Sequence, residues 1–191
     1  MLRHAILASS LLLAMPAQAE PPVILDRLVA TVDARAIFRS DLTGRAGPYI
    51  ATLPAAEQSD PKRINQLLHE LLEQMIDEHL VAQDCLRAQI SVEPHEVDRA
   101  IDEVAKANKM SVKELLTAAK QQGLTEDGYK AEVRRQILDM KWSTLLLRPR
   151  VNAPIVGTDA EKAEATAKLV EAERKKTLAL LRADAFVEVK W

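Results

Sequence analysis

The sequence predicts a mainly α-helical protein of about five to six helices that carries one small β-sheet. The first observation is the segment 61–89, which contains no glycine and has its only proline at the first position, Pro61. The second is that aromatic residues, which are enriched in strands, make up only 3% of the chain. The third is that the apolar–polar alternation typical of strands occurs near the two ends, at 27–39 and 185–191. We therefore expect helices to form the body and the chain ends to form the sheet.

The segment 61–89 has the periodicity of a long amphipathic helix. Spacings of three and four place its apolar side chains on one face. These are Ile64, Leu67, Leu68, Leu71, Leu72, Met75, Ile76 and Leu80. Asp60 is the predicted N-cap, and Pro61 suits the first helical position, where an N–H needs no partner. Since so wide an apolar stripe must be covered by protein, we expect other helices to pack around it.

The two β-like stretches are expected to pair with each other. Residues 25–40 predict a hairpin in which Leu28, Ala30 and Val32 alternate with Arg27, Val29 and Thr31, followed by a turn at 33–35. At the other end Ala185, Val187, Val189 and Trp191 alternate with Phe186, Glu188 and Lys190. A lone strand is unstable and needs a neighbour. We therefore predict that the two ends meet in one small sheet.

The remaining helices are predicted from residues that commonly cap helices. The predicted N-caps are Ser40, Ser91, Ser111, Thr125 and Thr158, two of which belong to capping boxes with Glu114 and Glu161. The helices are expected at about 41–53, 92–108, 112–122, 126–148 and 159–182. The fourth is expected to stop at Arg148 because proline follows it.

The first nineteen residues have the composition of a secretory signal peptide. Arg3 and His4 precede an apolar run at 5–15, and Ala17-Gln18-Ala19 has the small-x-small form of a cleavage site. We expect cleavage after Ala19. The run is too short to cross a bilayer as a helix. This predicts an exported, periplasmic protein that is not embedded in a membrane.

Charge and ligand spacing exclude several classes of function. A net charge of −2 gives no electrostatic argument for binding nucleic acid. His69 and Glu73 approach the H-E-x-x-H zinc motif but lack the second histidine, so an exposed helix face is expected and no metal. His79 is expected to pack and His95 to be exposed. Cys85 is the single cysteine and is expected to be buried.

No catalytic motif is present in the sequence. It has no G-x-S-x-G elbow, P-loop or dinucleotide fingerprint, and its carboxylates follow helix faces without forming an evident acid–base pair. We therefore expect neither enzymatic activity nor a cofactor.

Five segments, in order, resemble SurA-type periplasmic chaperones. The strand, tight return and Ser-Asp helix start of that family resemble DRLVATVDARAIFRSDL (26–42). Its long helix and the helix after it resemble INQLLHELLEQMIDEHLVAQDCLRAQISVEPHEVDRAIDEVAKANKM (64–110). Its next helix pair, its Arg-x-Arg-Val exit and its final strand resemble ELLTAAKQQGLTEDGYKAEVRRQILDMKW (114–142), RPRV (148–151) and AFVEVKW (185–191).

One departure from that family changes the expected activity. In SurA-type proteins, one or two parvulin prolyl-isomerase domains follow the Arg-x-Arg-Val exit, whereas here only a connector at 151–157 precedes the next helix. The resemblance therefore implies a chaperone domain at 20–191 without isomerase activity. Its parts are a helical core with the hairpin at 20–150, the connector, and a helix and strand at 158–191 that pack back on the core.

The resemblance implies an ATP-independent holdase that binds unfolded or extended polypeptides, including outer-membrane proteins, in a crevice between helices and sheet. The candidate lining residues are Tyr49, Ile50, Leu53, Tyr129, Val133, Ile137, Met140 and Trp142. Ordinary core packing is the competing interpretation for each. Two other functions stay open, a dedicated assembly factor or adaptor for one envelope partner and a prolyl isomerase. The protein could be a monomer or a swapped dimer.

Overall fold

The computed structural model describes residues 26–152, 154 and 156–190. It begins with strands β1 (Leu28–Val32) and β2 (Arg35–Phe38). Within the described residues six α-helices follow: α1 (Arg39–Thr52), α2 (Pro61–Arg87), α3 (Pro94–Ala107), α4 (Val112–Gln121), α5 (Glu126–Trp142) and α6 (Asp159–Asp184). A π-helical turn (Ser143–Leu147) and a 3₁₀ turn (Arg148–Arg150) lie between α5 and α6, and β3 (Val187–Val189) comes last. The predicted fold class is confirmed, and the predicted signal segment lies outside the described residues.

The three strands form one antiparallel sheet in the order β2-β1-β3, as predicted from the need of the last strand for a neighbour. Ala30 lies opposite Val189, and the N–H of Asp33 donates to the carbonyl of Phe186 at 2.8 Å. The last strand is shorter than predicted because Ala185 still belongs to the end of α6, where its N–H donates to the carbonyl of Leu181.

The predicted alternation of the first strand is wrong at one position. A β-bulge shifts the register between Leu28 and Ala30, so Val29 and Ala30 are both buried, at 3% and 0% exposure. An extra residue in one strand removes the strict two-residue period, which explains the difference. The sheet thereby turns two consecutive apolar residues into the core.

Helix α2 is the centre of the fold, and β1, α1, α5 and α6 all pack against it. The Asp60 carboxylate accepts the N–H of Lys62 at 2.9 Å, which confirms the predicted N-cap. The helix ends at Arg87, two residues earlier than predicted, because Gln89 adopts a left-handed φ of 58°. The long apolar stripe is thus covered on several sides.

The core has three parts. The first joins the sheet, α1 and most of α2, and the second joins the end of α2 to Trp142, Leu147 and α6. The third joins α3 and α5, with partly buried residues of α4 packed against it. No helix within the described residues is both long and apolar enough to span a bilayer.

Two predicted N-caps are wrong by two residues. Helix α1 begins at Arg39, because the Asp41 carboxylate accepts the N–H of Phe38 at 3.1 Å while the Ser40 hydroxyl donates to Asp26. Helix α3 begins at Pro94, and the Glu96 carboxylate accepts the N–H of Glu93 at 2.9 Å. In both helices an acid in the first turn satisfies the backbone in place of the predicted serine.

The other three predicted caps are confirmed. The hydroxyls of Ser111, Thr125 and Thr158 each accept an N–H from the first turn of their helix. Both capping boxes are formed, since the backbone N–H groups of Ser111 and Thr158 donate to Glu114 and Glu161 at 2.8 and 2.7 Å.

The end of α5 differs from the prediction of a helix to Arg148. After Trp142 the chain widens into a π-helical turn, and Trp142 and Leu147 are both completely buried in the same cluster. A π-turn places residues five apart on one face. Packing of this pair therefore explains the change of helix type.

Candidate functional site

A cleft opens where the sheet end of the molecule meets α5. A hollow of about 640 Å³ lies between β2 and α1 on one side and the α4–α5 loop with α5 on the other. A second hollow of about 340 Å³ continues from it along α2. Both are lined by Arg45, Met75, His79 and Arg135, so we treat them as one cleft. Its apolar wall includes Ala36, Ile37, Tyr49, Met75 and Leu124.

The wall formed by β2 is a strand edge. In the described sheet β2 pairs with β1 on one side only. The N–H of Asp33 and the carbonyl of Val29 bond to β3, so alternate residues of β1, Ala30 and Val32, direct their backbone groups toward β2.

Ala36 is consequently the residue whose backbone faces the open edge. Ile37 and Arg35 lie opposite Ala30 and Val32, and directly paired residues of an antiparallel ladder share the direction of their bonds. Ala36, between them, directs its N–H and C=O away from β1. Since Ala36 also lines the cleft, one donor and one acceptor of the main chain are presented there.

An ion cluster made of Arg45, Glu78, Glu132 and Arg135 joins the cleft walls. Arg45 on α1 donates to Glu78 on α2 through both terminal nitrogens, one of the contacts being 2.5 Å. On α5, Arg135 donates to Glu132 at 2.5 Å, and a terminal nitrogen of Arg45 lies 3.6 Å from the same carboxylate. The cluster ties three helices together.

Two members of the ion cluster, Arg45 and Glu132, are stabilised in their charged forms. Burial opposes the charge of Arg45, but the hydrogen bond and attraction of Glu78 outweigh it and raise the pKa of Arg45. Burial also opposes the charge of Glu132, yet the hydrogen bond from Arg135 holds the pKa of that carboxyl below its usual range. Attraction therefore persists across the cleft at neutral pH.

Among the described residues, His79 and Cys85 are titratable side chains near the cleft whose pKa values are shifted by burial. Burial, assisted by the nearby Arg35, lowers the pKa of His79, so its imidazole is neutral at pH 7. Cys85 is 1% exposed in the second core cluster, and burial raises the pKa of its thiol to about 11, which keeps it protonated. The described residues contain no group of three side chains suited to a metal ion.

The predicted lining residues do not form a single surface. Tyr49 lies on the cleft and is 44% exposed. Trp142 is completely buried, and Val133 is 8% exposed inside the third cluster, so both pack in the core of this structure, and their contact with a polypeptide stays a prediction. The periodicity of the apolar residues indicates that these side chains are covered. It does not show whether other helices or a bound polypeptide cover them.

The other five candidates lie in mixed surroundings. Ile50 packs against the first core cluster, whereas Tyr129 and Ile137 pack against the third. Leu53 is half-buried, and Met140 is 59% exposed. Contact of these residues with a polypeptide stays a prediction.

Sequence reasoning missed Ala36, Met75 as a wall residue, and the whole ion cluster. Arg45, Glu78 and Glu132 lie on three different helices, so no spacing links them. One signal in the sequence could have pointed to Ala36. This residue lies in the predicted hairpin, and a small open sheet must end in edge strands.

Comparison with known proteins places most of the chain in one family. Residues 25–142 match the SurA N-terminal domain family. A protein named Chaperone SurA from Cupriavidus metallidurans is 38% identical over 114 residues, covering 60% of this chain and 23% of that protein. Its namesake from Chromobacterium violaceum is 31% identical over 147 residues, covering 77% of this chain and 34% of that protein.

A third relative, Chaperone SurA from Thiobacillus denitrificans, is 32% identical over 133 residues, covering 70% of this chain and 30% of that protein. The matched region thus spans about a quarter to a third of the length of these curated relatives. The match to the family covers β1 through α5.

Proposed function

We propose that this chain, which belongs to the SurA N-terminal domain family, is an ATP-independent chaperone that holds unfolded polypeptides in the cleft. The observation that carries the proposal is the edge of β2, where the backbone of Ala36 faces a cleft with apolar walls. The name of the curated relatives supports a chaperone role. We propose no catalytic step.

Main-chain recognition suits a protein with many clients. Every unfolded segment offers backbone N–H and C=O groups, so a strand edge binds segments of different sequence by adding a strand. Ala36 supplies one bond of each kind, and the exposed Tyr49 supplies apolar contact.

The dimensions and charges of the cleft favour an extended segment. The larger hollow, about 640 Å³, is within the usual range for ligand sites, and it continues along α2. The ion cluster pairs two arginines with two glutamates, so it does not require a client of one sign. Binding the unfolded state lowers the concentration of aggregating chains by mass action.

The proposed clients are unfolded outer-membrane or secreted polypeptides in the periplasm. The resemblance to SurA-type chaperones implies these clients, and the predicted signal peptide at 1–19, which indicates export, supports the compartment. Because exported chains arrive unfolded, a holdase in that compartment meets clients of many sequences.

The experiment compares aggregation of three unrelated unfolded proteins with wild type, Ala36→Pro and the matched control Ala36→Val. Proline at position 36 removes the outward N–H. Because that N–H makes no bond to β1, proline is tolerated at an edge position of this kind. We expect Ala36→Pro to hold clients about threefold to tenfold more weakly, the value of one hydrogen bond, and Ala36→Val to retain activity.

Circular dichroism of each variant checks that the fold is kept. Equal protection by wild type and a folded Ala36→Pro variant would contradict recognition at this edge. Protection of a single client would instead indicate a dedicated adaptor. Turnover of a proline peptide faster than its slow uncatalysed isomerisation would indicate a prolyl isomerase.

A further inference from the structure

A separate cavity lies at the end of the sheet opposite the hairpin turn. It encloses about 320 Å³, and among the described residues it shares no lining with the cleft. Its lining comes from four places in the chain, namely the start of β1 with the residue before it, the first turns of α1, the first half of α2, and the residue after β3.

The sheet brings three cationic residues together at this cavity. The N–H of Arg39 donates to the carbonyl of Arg27 at 2.7 Å, and the N–H of Lys190 donates to the carbonyl of Val29 at 2.8 Å. These bonds set the three basic side chains around one opening. Their proximity is a consequence of strand register, because they are far apart in sequence.

The floor of the cavity is apolar. Val29, Leu42 and Leu68 line it and are 3%, 1% and 7% exposed. Thr43 and Asn65 add a hydroxyl and an amide to the rim. The cavity therefore presents cations and neutral polar groups above a hydrocarbon surface.

The local charge contrasts with that of the whole chain, which has a net charge of −2. The described residues that line the cavity include three basic residues and no acid. Of these, Lys190 forms an ion pair with Glu188 at 3.1 Å. Among the described residues, Arg27 and Arg39 form no ion pair with a carboxylate, and nearby Asp26 is engaged by the hydroxyl and N–H of Ser40.

We propose that this cavity binds the carboxylate of an apolar acid, with the acid group against Arg27, Arg39 and Lys190 and the apolar group on the floor. Guanidinium groups match a carboxylate with two parallel hydrogen bonds. The floor distinguishes such a ligand from a bare anion, which gains nothing from Val29, Leu42 or Leu68. A polypeptide C-terminus with an apolar last residue and a free apolar acid share this chemistry.

The test is calorimetric titration of the full chain with two versions of one peptide, acetyl-Gly-Ser-Gly-Ser-Leu-Phe, one ending in a free carboxylate and the other in an amide. Octanoate and inorganic phosphate are the other two probes. We expect the acid form to bind about tenfold more tightly than the amide, the value of one charge-assisted hydrogen bond. Phosphate should bind more weakly than either apolar acid.

The double variant Arg27→Gln/Arg39→Gln should abolish the preference for the acid form. Its matched control is Arg99→Gln/Lys168→Gln, which removes the same charge from exposed positions on α3 and α6. The variant Ala36→Pro should leave this binding unchanged, which separates the cavity from the cleft. Circular dichroism verifies that each variant is folded.

The two sources of the ligand are told apart by the same titrations. Binding of the acid peptide identifies a chain terminus, and binding of octanoate alone identifies a free acid; either supports the site if the double variant removes it. Equal affinity for acid and amide peptides, equal affinity for phosphate, or unchanged binding in the folded double variant would overturn it.

Discussion

The sheet end and the α3–α5 end of this molecule are assembled in different ways. The sheet end joins residues that are distant in sequence, as the hydrogen bond from the N–H of Phe186 to Asp33 shows at 2.8 Å. The α3–α5 end joins near neighbours, with core residues from Val92 to Val133 and a bond from Arg134 to the carbonyl of Val92 at 2.8 Å. Contacts between residues far apart in sequence require a long loop to close. The sheet end contains such contacts with the last helix and strand, so its stability depends on those two elements.

The cleft lies where the two ends meet. Its β2 and α1 walls belong to the sheet end, and its α5 wall belongs to the other end. The ion cluster spans the junction, since Arg45 contacts both Glu78 and Glu132. Changes to either end, or to the cluster, are therefore expected to alter the cleft in different ways.

The largest effect is expected from removing residues 158–191. Helix α6 packs Val170, Leu178 and Leu181 against α2 and Trp142, and β3 adds Val187 to the first core cluster. At about 1–2 kcal/mol for each partly buried side chain, the loss is about 5 kcal/mol, similar to the whole stability of a small domain.

Hydrogen exchange measures where the truncated chain opens. We expect amides of β1, β2 and α1 to lose protection while those of 94–138 keep part of theirs. Equal loss at both ends would contradict the independence of the α3–α5 end.

Replacement of Trp142 by alanine is expected to cost about 3–5 kcal/mol, the usual range for a large buried aromatic residue. The side chain is completely buried, its Nε1–H donates to Asp84 at 2.8 Å, and Arg174 lies 5.2 Å from its ring centre. Denaturant unfolding gives the free energy. Trp142→Phe is the control that keeps most of the volume, and a loss for alanine no larger than for phenylalanine would refute a packing role.

Replacement of Arg45 by methionine is expected to cost about 2 kcal/mol, because the partly buried Glu78 and Glu132 are left with Arg135 as their remaining shared ion-pair partner. The estimate is below that for a fully buried pair because Glu78 and Glu132 keep 27% and 25% of their side-chain exposure.

A double-mutant cycle with Glu78→Gln isolates the Arg45–Glu78 coupling. Arg99→Met is the matched control, since its pair with Glu103 is 80% and 63% exposed and should contribute little. Similar losses at Arg45 and Arg99 would show that the cluster does not join the two ends.

The smallest effect is expected for the pH dependence due to His79. Burial lowers the pKa of this imidazole in the folded state, so the unfolded chain binds the proton more readily. Its contribution to stability is complete above the unfolded pKa and declines as pH falls below about 6.5. Arg35 and Arg45 act in the same direction as burial, whereas Glu78 and Asp41 oppose it.

The measurement is the free energy of unfolding at pH 7.5 and pH 5.5 for wild type and His79→Gln. We expect wild type to lose more stability between these values than the variant, which cannot be protonated. His95→Gln is the control because His95 is exposed. A steeper loss in the His79 variant would mean that the charged imidazole is favoured in the fold.

The central helix and three of the predicted caps could be predicted because their causes are local. The stripe from Ile64 to Leu80 and the capping box of Ser111 with Glu114 need only residues a few positions apart. The cap of α3 differs from the prediction because Pro94 occupies the first helical position and the Glu96 carboxylate, rather than a serine hydroxyl, satisfies the backbone there.

The helical class, the order of elements and the pairing of the two ends could all be predicted from the residue pattern, since a short strand needs a neighbour. The packing of distant elements was needed to show that Trp142 belongs to the core, that Ala36 faces an open edge, and that Arg45 contacts Glu78 and Glu132. Periodicity indicates which faces of a helix or strand are covered, whereas the identity of the covering partner depends on how distant helices and strands pack.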